Sequence, residues 1–354
     1  MSEKKPSEKR TTIKTVALDA GVSVSAVSKV LRDAYGVSDS LRKRVNASMS
    51  KLGYRPSVAA RGMRGKSYTI GVLLVDIRNA FNADLLEGIS SALNSTQYEL
   101  LVGISQHRSR VEASLVDVMV DRQMDGIITI GPQLGENNQD QNIPELDGLA
   151  ETAKRIPTVI IGHYEQSTFF DTVNNDDFMG AKLAVNHLVE QGYQRITFLS
   201  PDIEGDVHVS VAHKRYLGYK EAMEENGLGR FCSVALAREV KHSIRNSINE
   251  LFAAKSHPEA LFCWSDVVAF EVISAVRALG YSIPKDVGIV GYDNTRACEY
   301  FQNSLSSVDQ AGQALGLQAA RLLLERINGR VEPERFVLPP RLVVRQSSQL
   351  KLSK

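Results

Sequence analysis

Val24, Ser25, Ser28 and Lys29 sit at the one- and four-residue spacings that put four side chains on one side of a helix. Their chemistry suits the edge of a nucleic-acid base. A lysine can donate to O6 and N7 of a guanine, a valine can pack on a thymine methyl, and serine hydroxyls can reach bases or phosphates. Further along, Asp76, Trp264, Ser265, Asp266 and Asp293 each stand at or just past the end of an apolar run. Phe81 follows five residues after Asp76, and Arg215 opens a helical segment. Carboxylates, a guanidinium and hydroxyls beside aromatic rings suit a cleft for a small polar molecule, where Phe81 and Trp264 could stack on a sugar ring. Each has a plainer reading too: Asp266 as a helix cap, Asp293 as a turn residue, Trp264 as core.

The first set needs a small helical scaffold. Thr12 can cap a helix that turns Ile13, Val16, Ala17 and Ala20 inward, and Gly21 suits the left-handed conformation that stops it. Ser23 caps a second helix burying Val27, Val30 and Leu31. Ser38 caps a third with Leu41, Val45, Met49 and Leu52 inward before Gly53. Helix, short glycine turn, helix is helix-turn-helix spacing, and the second helix then lays its N-terminal residues in the major groove. Charge agrees. Up to Lys66 there are 15 Lys and Arg against 5 Asp and Glu, and afterwards 27 against 36, so a cationic head precedes an acidic body. A generic three-helix domain would not need that imbalance.

From Tyr68 the pattern alternates between apolar runs and amphipathic helices. YTIGVLLV, YELLVGI, MDGIITIG, PTVIIG, RITFLS, a segment near 233–237, ALFCWS and VGIVGYD read as strands. Helices are expected over 84–94, 110–121, about 180–191, 213–225, 243–254, 266–279 and 309–328, with late strands in RFVLPPRLVVR. Continuous apolar strands spaced by helices imply parallel sheets covered on both faces, and two such runs imply two doubly wound subdomains. Ligands of such sheets bind beyond the carboxyl ends of the strands.

The run IKTVALDAGVSVSAVSKVL, with VSDSLRKRV and LGYRPSVAARGMR after it, resembles the N-terminal signature of the LacI/GalR repressors, and the remainder resembles the periplasmic-binding-protein type I architecture. The resemblance implies a small all-α helix-turn-helix domain followed by an α/β effector domain of two doubly wound parallel-sheet subdomains. It implies a hinge in which Ser57 caps a short segment, with Met63 as an apolar wedge between base pairs and Ala60 and Arg64 beside it in the minor groove. It directs Arg215 and Asp293 at an effector and places Gln310 near the last crossover. Thr12, Ser23, Val24, Ser25, Ser28 and Lys29 complete the expected DNA-contacting set. The chain departs from common members at Ala26 (usually Thr), Lys29 (often Arg), Gly162 and His163 (often Asp-Arg) and Ser265 (often Asn). His163 reads as a hydrogen-bonding residue at the cleft edge rather than a metal ligand.

The expected organisation is a disordered tail over 1–10, a DNA-binding domain over 11–56, a hinge over 57–66 and an effector and dimerisation domain over 67–354. The last divides into a first lobe, about 67–172 with 305–330, and a second, about 173–304 with 331–347. The partners expected are a double-stranded, pseudo-palindromic DNA operator, a small sugar-like effector and a second copy of the chain. Three scattered cysteines, Cys232, Cys263 and Cys298, suggest neither a disulfide framework nor a metal site. A charged N-terminus and the lack of any span-length apolar run suggest a cytoplasmic protein with no membrane role. Nucleotide-binding, zinc-hydrolase and serine-hydrolase motifs are missing, so neither catalysis nor a cofactor is expected. A doubly wound enzyme or a solute-binding protein with a DNA-binding head is the alternative.

Overall fold

A computed structural model describes residues 11–31, 34–54, 66–75, 77–105, 113–131, 146–162, 168–200, 211–237, 243–300 and 304–350. The chain divides into two compact units, Met1–Thr69 with Val120–Asp125, and Ile70–Met119 with Gly126–Lys354.

In the first unit three helices, α1 (Ile13–Asp19), α2 (Val24–Leu31) and α3 (Asp39–Lys51), enclose one small core. Val16, Ala17, Val27, Val30, Leu31 and Val45 are buried, and Ile13, Ala20, Leu41, Met49 and Leu52 pack against them. Each fully buried Val or Leu contributes about 1.5–3 kcal/mol, and a core this small needs every one. Caps supply the boundaries. Thr12 and Thr15 form a reciprocal capping box at α1, and the Ser38 side chain accepts from Leu41 N–H at α3. Gly21, at φ +62°, takes the left-handed conformation that ends α1.

The second unit contains two six-stranded sheets. The first has the order β11-β5-β4-β3-β1-β2, built from β1 (Thr69–Leu74), β2 (Glu99–Ile104), β3 (Gly126–Ile130), β4 (Thr158–Ile161), β5 (Asp171–Asn175) and β11 (Arg335–Leu338). The second has the order β12-β10-β9-β8-β6-β7, from β6 (Ile196–Ser200), β7 (Ser233–Leu236), β8 (Ala260–Cys263), β9 (Gly288–Asp293), β10 (Ser306–Asp309) and β12 (Arg341–Val343). β12 runs antiparallel to β10; β3, β4, β5 and β11 are joined in parallel register, as are β6, β8, β9 and β10. Helices α4 (Phe81–Leu93), α5 (Ala113–Asp121), α6 (Leu146–Arg155) and α12 (Gly312–Ile327) belong with the first sheet. Helices α7 (Asp177–Glu190), α8 (Val211–Glu225), α9 (Ser243–Ala253), α10 (Asp266–Ala278) and the short α11 (Ala297–Tyr300) belong with the second. The first lobe's core joins β1, β3, β4 and β5 to Leu85 and Ile89 of α4 and to Leu315, Ala319 and Leu323 of α12. α4 and α12 touch backbone to backbone: a Cβ on Gly316 would lie 2.1 Å from the Leu85 carbonyl oxygen.

The expected doubly wound architecture is present, with differences in detail. Two strands were not anticipated, β5 (DTVNN) and β10 (SSVD), because polar side chains hide them, although both are largely buried. Asp309 therefore ends a strand, and the helix expected from 309 begins at Gly312. Residues 306–309 join the second sheet and 335–338 the first, the reverse of the lobe assignment expected for those segments. α4 also starts three residues earlier than expected, at Phe81. Among the described residues no helix is long and apolar enough to cross a membrane, and no group of His, Cys, Asp and Glu could hold a metal ion. Cys263 is buried in the second lobe's core, as its apolar neighbours suggest.

Candidate functional site

On the first unit, Val24 and Ser25 are exposed in the first turn of α2 and Lys29 in its last, and Ser28 is half-buried, so one face projects while Val27, Val30 and Leu31 hold the other in the core. The exposed face is mixed: an apolar Val24, a hydroxyl and a cation within two turns. Ser23 accepts from Ala26 N–H at 3.1 Å, and Thr12 is engaged in the α1 capping box. These two side chains therefore set helix ends. Lys14, Lys43 and Arg44 add exposed positive charge to the same unit. Ser57, Ala60, Met63 and Arg64 of the expected hinge lie outside the described residues, as do Asp76 and His163 of the expected cleft.

In the second unit, polar side chains converge where β1, β8 and β9 end. Asp293 closes β9 at φ +113°, a conformation that L-residues rarely adopt and that is characteristic of functional positions. Its carboxylate accepts from Gln310 Nε2 at 2.5 Å and from Asn79 Nδ2 at 3.2 Å. Asn79 belongs to the segment after β1, so the second contact joins the two lobes. Burial pushes the Asp293 carboxyl up to about 8, against the pull of Arg215 and the two amide donors, while Asp266 pushes the same way as burial.

Arg215 enters from the second turn of α8 and is itself buried. Its Nε donates to Asp177 Oδ1 at 2.7 Å, an NH group donates to the Trp264 carbonyl, and its guanidinium carbon lies 3.6 Å from the Tyr292 ring centre. Burial opposes the charge, but Asp177, Tyr292 and Asp293 together hold the guanidinium protonated more firmly than usual. Trp264 follows β8 half-buried, and its indole nitrogen is buried with no hydrogen-bond partner among the described residues. Phe81 opens α4 half-buried, its ring close against Gly312. The structure thus gathers Arg215, Trp264, Asp293 and Gln310 into one connected cluster. Sequence reading missed three of its members: Asn79, Asp177 and Tyr292. Only Asn79 leaves a trace in the sequence, as an asparagine two residues before a helix.

Two residues expected at the ligand have structural duties. The Ser265 side chain accepts from Val268 N–H at 3.3 Å and caps α10. Asp266, fully buried, accepts from Ser307 Oγ at 2.6 Å, Thr295 N–H at 2.8 Å and hydroxyl at 3.1 Å, and Cys298 Sγ at 3.0 Å. With both oxygens occupied, Asp266 fastens the loop after β9 under Asp293. The cap reading of that pair belongs to Ser265, one residue earlier than the sequence suggested.

A separate groove of about 640 Å³ lies at the other end of the second sheet, between β6, β7 and α9, lined by Arg195, Arg230, Phe231 and Leu251 among others. It contains none of the expected site residues. Its Arg195 is paired with Glu259 at 2.8 Å. Unlike the cleft cluster, it lacks convergent buried polar groups.

Comparison with known proteins fits both regions. Residues 12–57 match the model of bacterial regulatory proteins of the lacI family, and residues 185–348 that of a periplasmic binding protein-like domain. The chain is 31% identical to the catabolite control protein A of Priestia megaterium, across 96% of this chain and 99% of that protein. It is 28% identical to the HTH-type transcriptional repressor PurR of Photobacterium profundum, across 95% and 98%. Among solved structures it is similar to a CelR–cellobiose complex (TM-score 0.67, 25% identity, 96% and 100% coverage). It shares its fold with a lac repressor dimer bound to operator and the anti-inducer ONPF (TM-score 0.78, 23% identity, 96% and 100% coverage). These relatives are regulators of transcription and not enzymes. With a helix-turn-helix head and a two-lobed ligand-binding body, the chain belongs to the LacI family of bacterial transcriptional repressors.

Proposed function

We propose that the protein is a dimeric, cytoplasmic repressor that reads a pseudo-palindromic operator and responds to a small, sugar-like effector bound between the two lobes. The observation that carries this reading is the convergence of Asp293, Gln310, Arg215 and Asn79, supplied by both lobes, with the Trp264 carbonyl accepting from Arg215. Donors and acceptors aimed at one place, with Phe81 and Trp264 as apolar faces, are what a polyhydroxylated ring requires. The similar CelR structure holds cellobiose, and a LacI-family regulator from Enterococcus faecium, 28% identical over 79% of this chain and 98% of that one (TM-score 0.66), holds ribose.

On the operator, Val24, Ser25 and Lys29 take the base edges, Ser28 a phosphate, and Thr12 and Ser23 support the helix ends from beside the backbone. Ser57, Ala60, Met63 and Arg64 act as the hinge in the minor groove, Met63 as the wedge that bends the duplex. Effector binding alters the relation of the first lobes across the dimer, and a coupling of about 1–3 kcal/mol suffices to switch occupancy.

The test is selection of bound duplexes from a random pool, followed by a screen of mono- and disaccharides for release or tightening of the selected site. Enrichment of a two-fold symmetric sequence and a response to one saccharide class are expected. A protein that prefers no duplex over random competitor at moderate salt would overturn the DNA reading. A response confined to compounds without hydroxyl groups would overturn the sugar reading.

A further inference from the structure

One side chain in the cleft makes two contacts on two different lobes. Asn79 Oδ1 accepts from Phe81 N–H at 3.0 Å, so its carbonyl closes the turn that starts α4 in the first lobe. Its Nδ2 donates to Asp293 Oδ2 at 3.2 Å in the second lobe. The other Asp293 oxygen is held by Gln310. Arg215 faces the same carboxylate but is committed to Asp177 and to the Trp264 carbonyl, while Asp266 is saturated by Ser307, Thr295 and Cys298. Asn79, which meets the second lobe through this amide, can therefore leave without breaking the second lobe's own scaffold. It is only half-buried and comes from a short segment with exposed neighbours, Ile77 and Arg78.

We infer that Asn79 is a positioning residue that occupies the Asp293 oxygen a ligand's hydroxyl or amine donor would take, and so latches the first turn of α4 to the second lobe in the ligand-free protein. The inference rests on the cleft being the effector site and adds how occupancy of the cleft is passed to the first lobe. A ligand donor that approaches Asp293 Oδ2 along the direction Asn79 uses takes its place and releases it. The start of α4 then loses its anchor on the second lobe while keeping its own cap, because the carbonyl half of Asn79 is untouched. α4 packs along α12 through Gly88 and Gly316, whose backbones leave no room for adjustment, so a shift at Phe81 moves both helices together.

The geometry permits a swap that separates the latch from the cap. In N79D the carboxylate still accepts from Phe81 N–H but presents oxygen to Asp293, which breaks the latch above about pH 8, where Asp293 has no proton to donate. In N79D/D293N the roles are exchanged: the new amide at 293 donates across the cleft and still accepts from Gln310. Trp264 is the only tryptophan in the chain, so acrylamide quenching of its fluorescence reports access to the cleft without any label. Amide exchange in the first turn of α4 reports the anchor. Both are measured on the full-length, ligand-free protein. At about pH 9, where Asp293 is ionised, loss of one charge-assisted hydrogen bond, with repulsion in its place, should move the closed-to-open ratio roughly tenfold in N79D. The expected result is faster quenching and faster exchange in N79D and a return toward wild-type values in the double variant. Unchanged quenching and exchange in N79D would overturn the latch, and so would a double variant that stays as open as N79D. Since no effector or DNA is present, a failed latch leaves the effector reading standing, and a protein that answers to no saccharide does not alter the swap.

Discussion

The head and the cleft place their working side chains in opposite environments. On α2, Val24, Ser25 and Lys29 point to solvent and leave the core beneath to Val27, Val30 and Leu31. In the cleft, Arg215, Asp293 and Gln310 are buried and bonded to one another, and Asp177 and Asp266 underneath are buried more deeply still. Surface side chains contribute to binding nearly independently, so a substitution there alters recognition and leaves folding almost untouched. Buried polar groups are held by their neighbours, so removing one strands another in low dielectric. Recognition and stability should therefore separate cleanly in the head and be entangled in the cleft.

The strongest challenge to that contrast is Asp177→Ala. It leaves the Arg215 guanidinium, 3% exposed, without its carboxylate. A loss of about 3–5 kcal/mol in urea unfolding is expected for a broken buried pair. A loss below about 1 kcal/mol, the range of exposed pairs, would mean that the cleft network is as independent as the head's surface.

Gly316→Ala probes packing without polarity. Its Cβ would press on the Leu85 carbonyl, a backbone atom that cannot swing aside. A cost of about 1–3 kcal/mol is expected, with DNA discrimination per folded molecule unchanged.

A pH series sharpens the contrast further. Asp293, whose carboxyl would ordinarily titrate at about 3.8, is pushed up to about 8 in the fold. The folded state then binds the proton more tightly than the unfolded chain, so this residue's contribution is full below about pH 4 and declines as pH rises through about 8. Burial raises Asp266 in the same direction. Unfolding measured from pH 5 to 9 should therefore show a shallower decline in Asp293→Asn than in wild type, but not a flat line. Equal slopes would contradict the buried, proton-holding carboxylate.

The smallest effect on folding belongs to Lys29→Ala. Stability should stay within about 0.5 kcal/mol, as for ordinary surface positions. Discrimination at one base pair should fall by about 1–3 kcal/mol in competition binding. A uniform loss across all sequences, with a reduced salt slope, would reassign Lys29 to a phosphate.

The head was legible because its rules are local. Thr12, Ser23 and Ser38 cap helices, Gly21 ends one, and the apolar residues fall at helical spacing, so nothing distant is needed to place α1, α2 and α3. The apolar strands of the body were legible for the same reason. DTVNN was not. Its Asp171 is stable in the interior only because Arg326 and Arg330, more than 150 residues away, reach it at 2.9 and 2.6 Å. Its Asn175 is held by the Gln310 and Leu338 carbonyls at the crossovers. SSVD likewise depends on Asp266 and on Arg345 and Ser347 near the C-terminus. Strands whose side chains are satisfied only by remote partners carry no local signature.

By itself, the sequence determined the helical head, the charge split between head and body, the alternation that makes two parallel sheets, and the family to which they belong, since periodicity and caps act over a few residues. Tertiary structure alone decided which late strand joins which sheet, that Asp266 fastens the loop after β9, and that Asn79 and Asp177 share one network with Arg215 and Asp293. Those outcomes depend on which buried donor meets which acceptor, and that pairing exists only once segments far apart in the chain have come together.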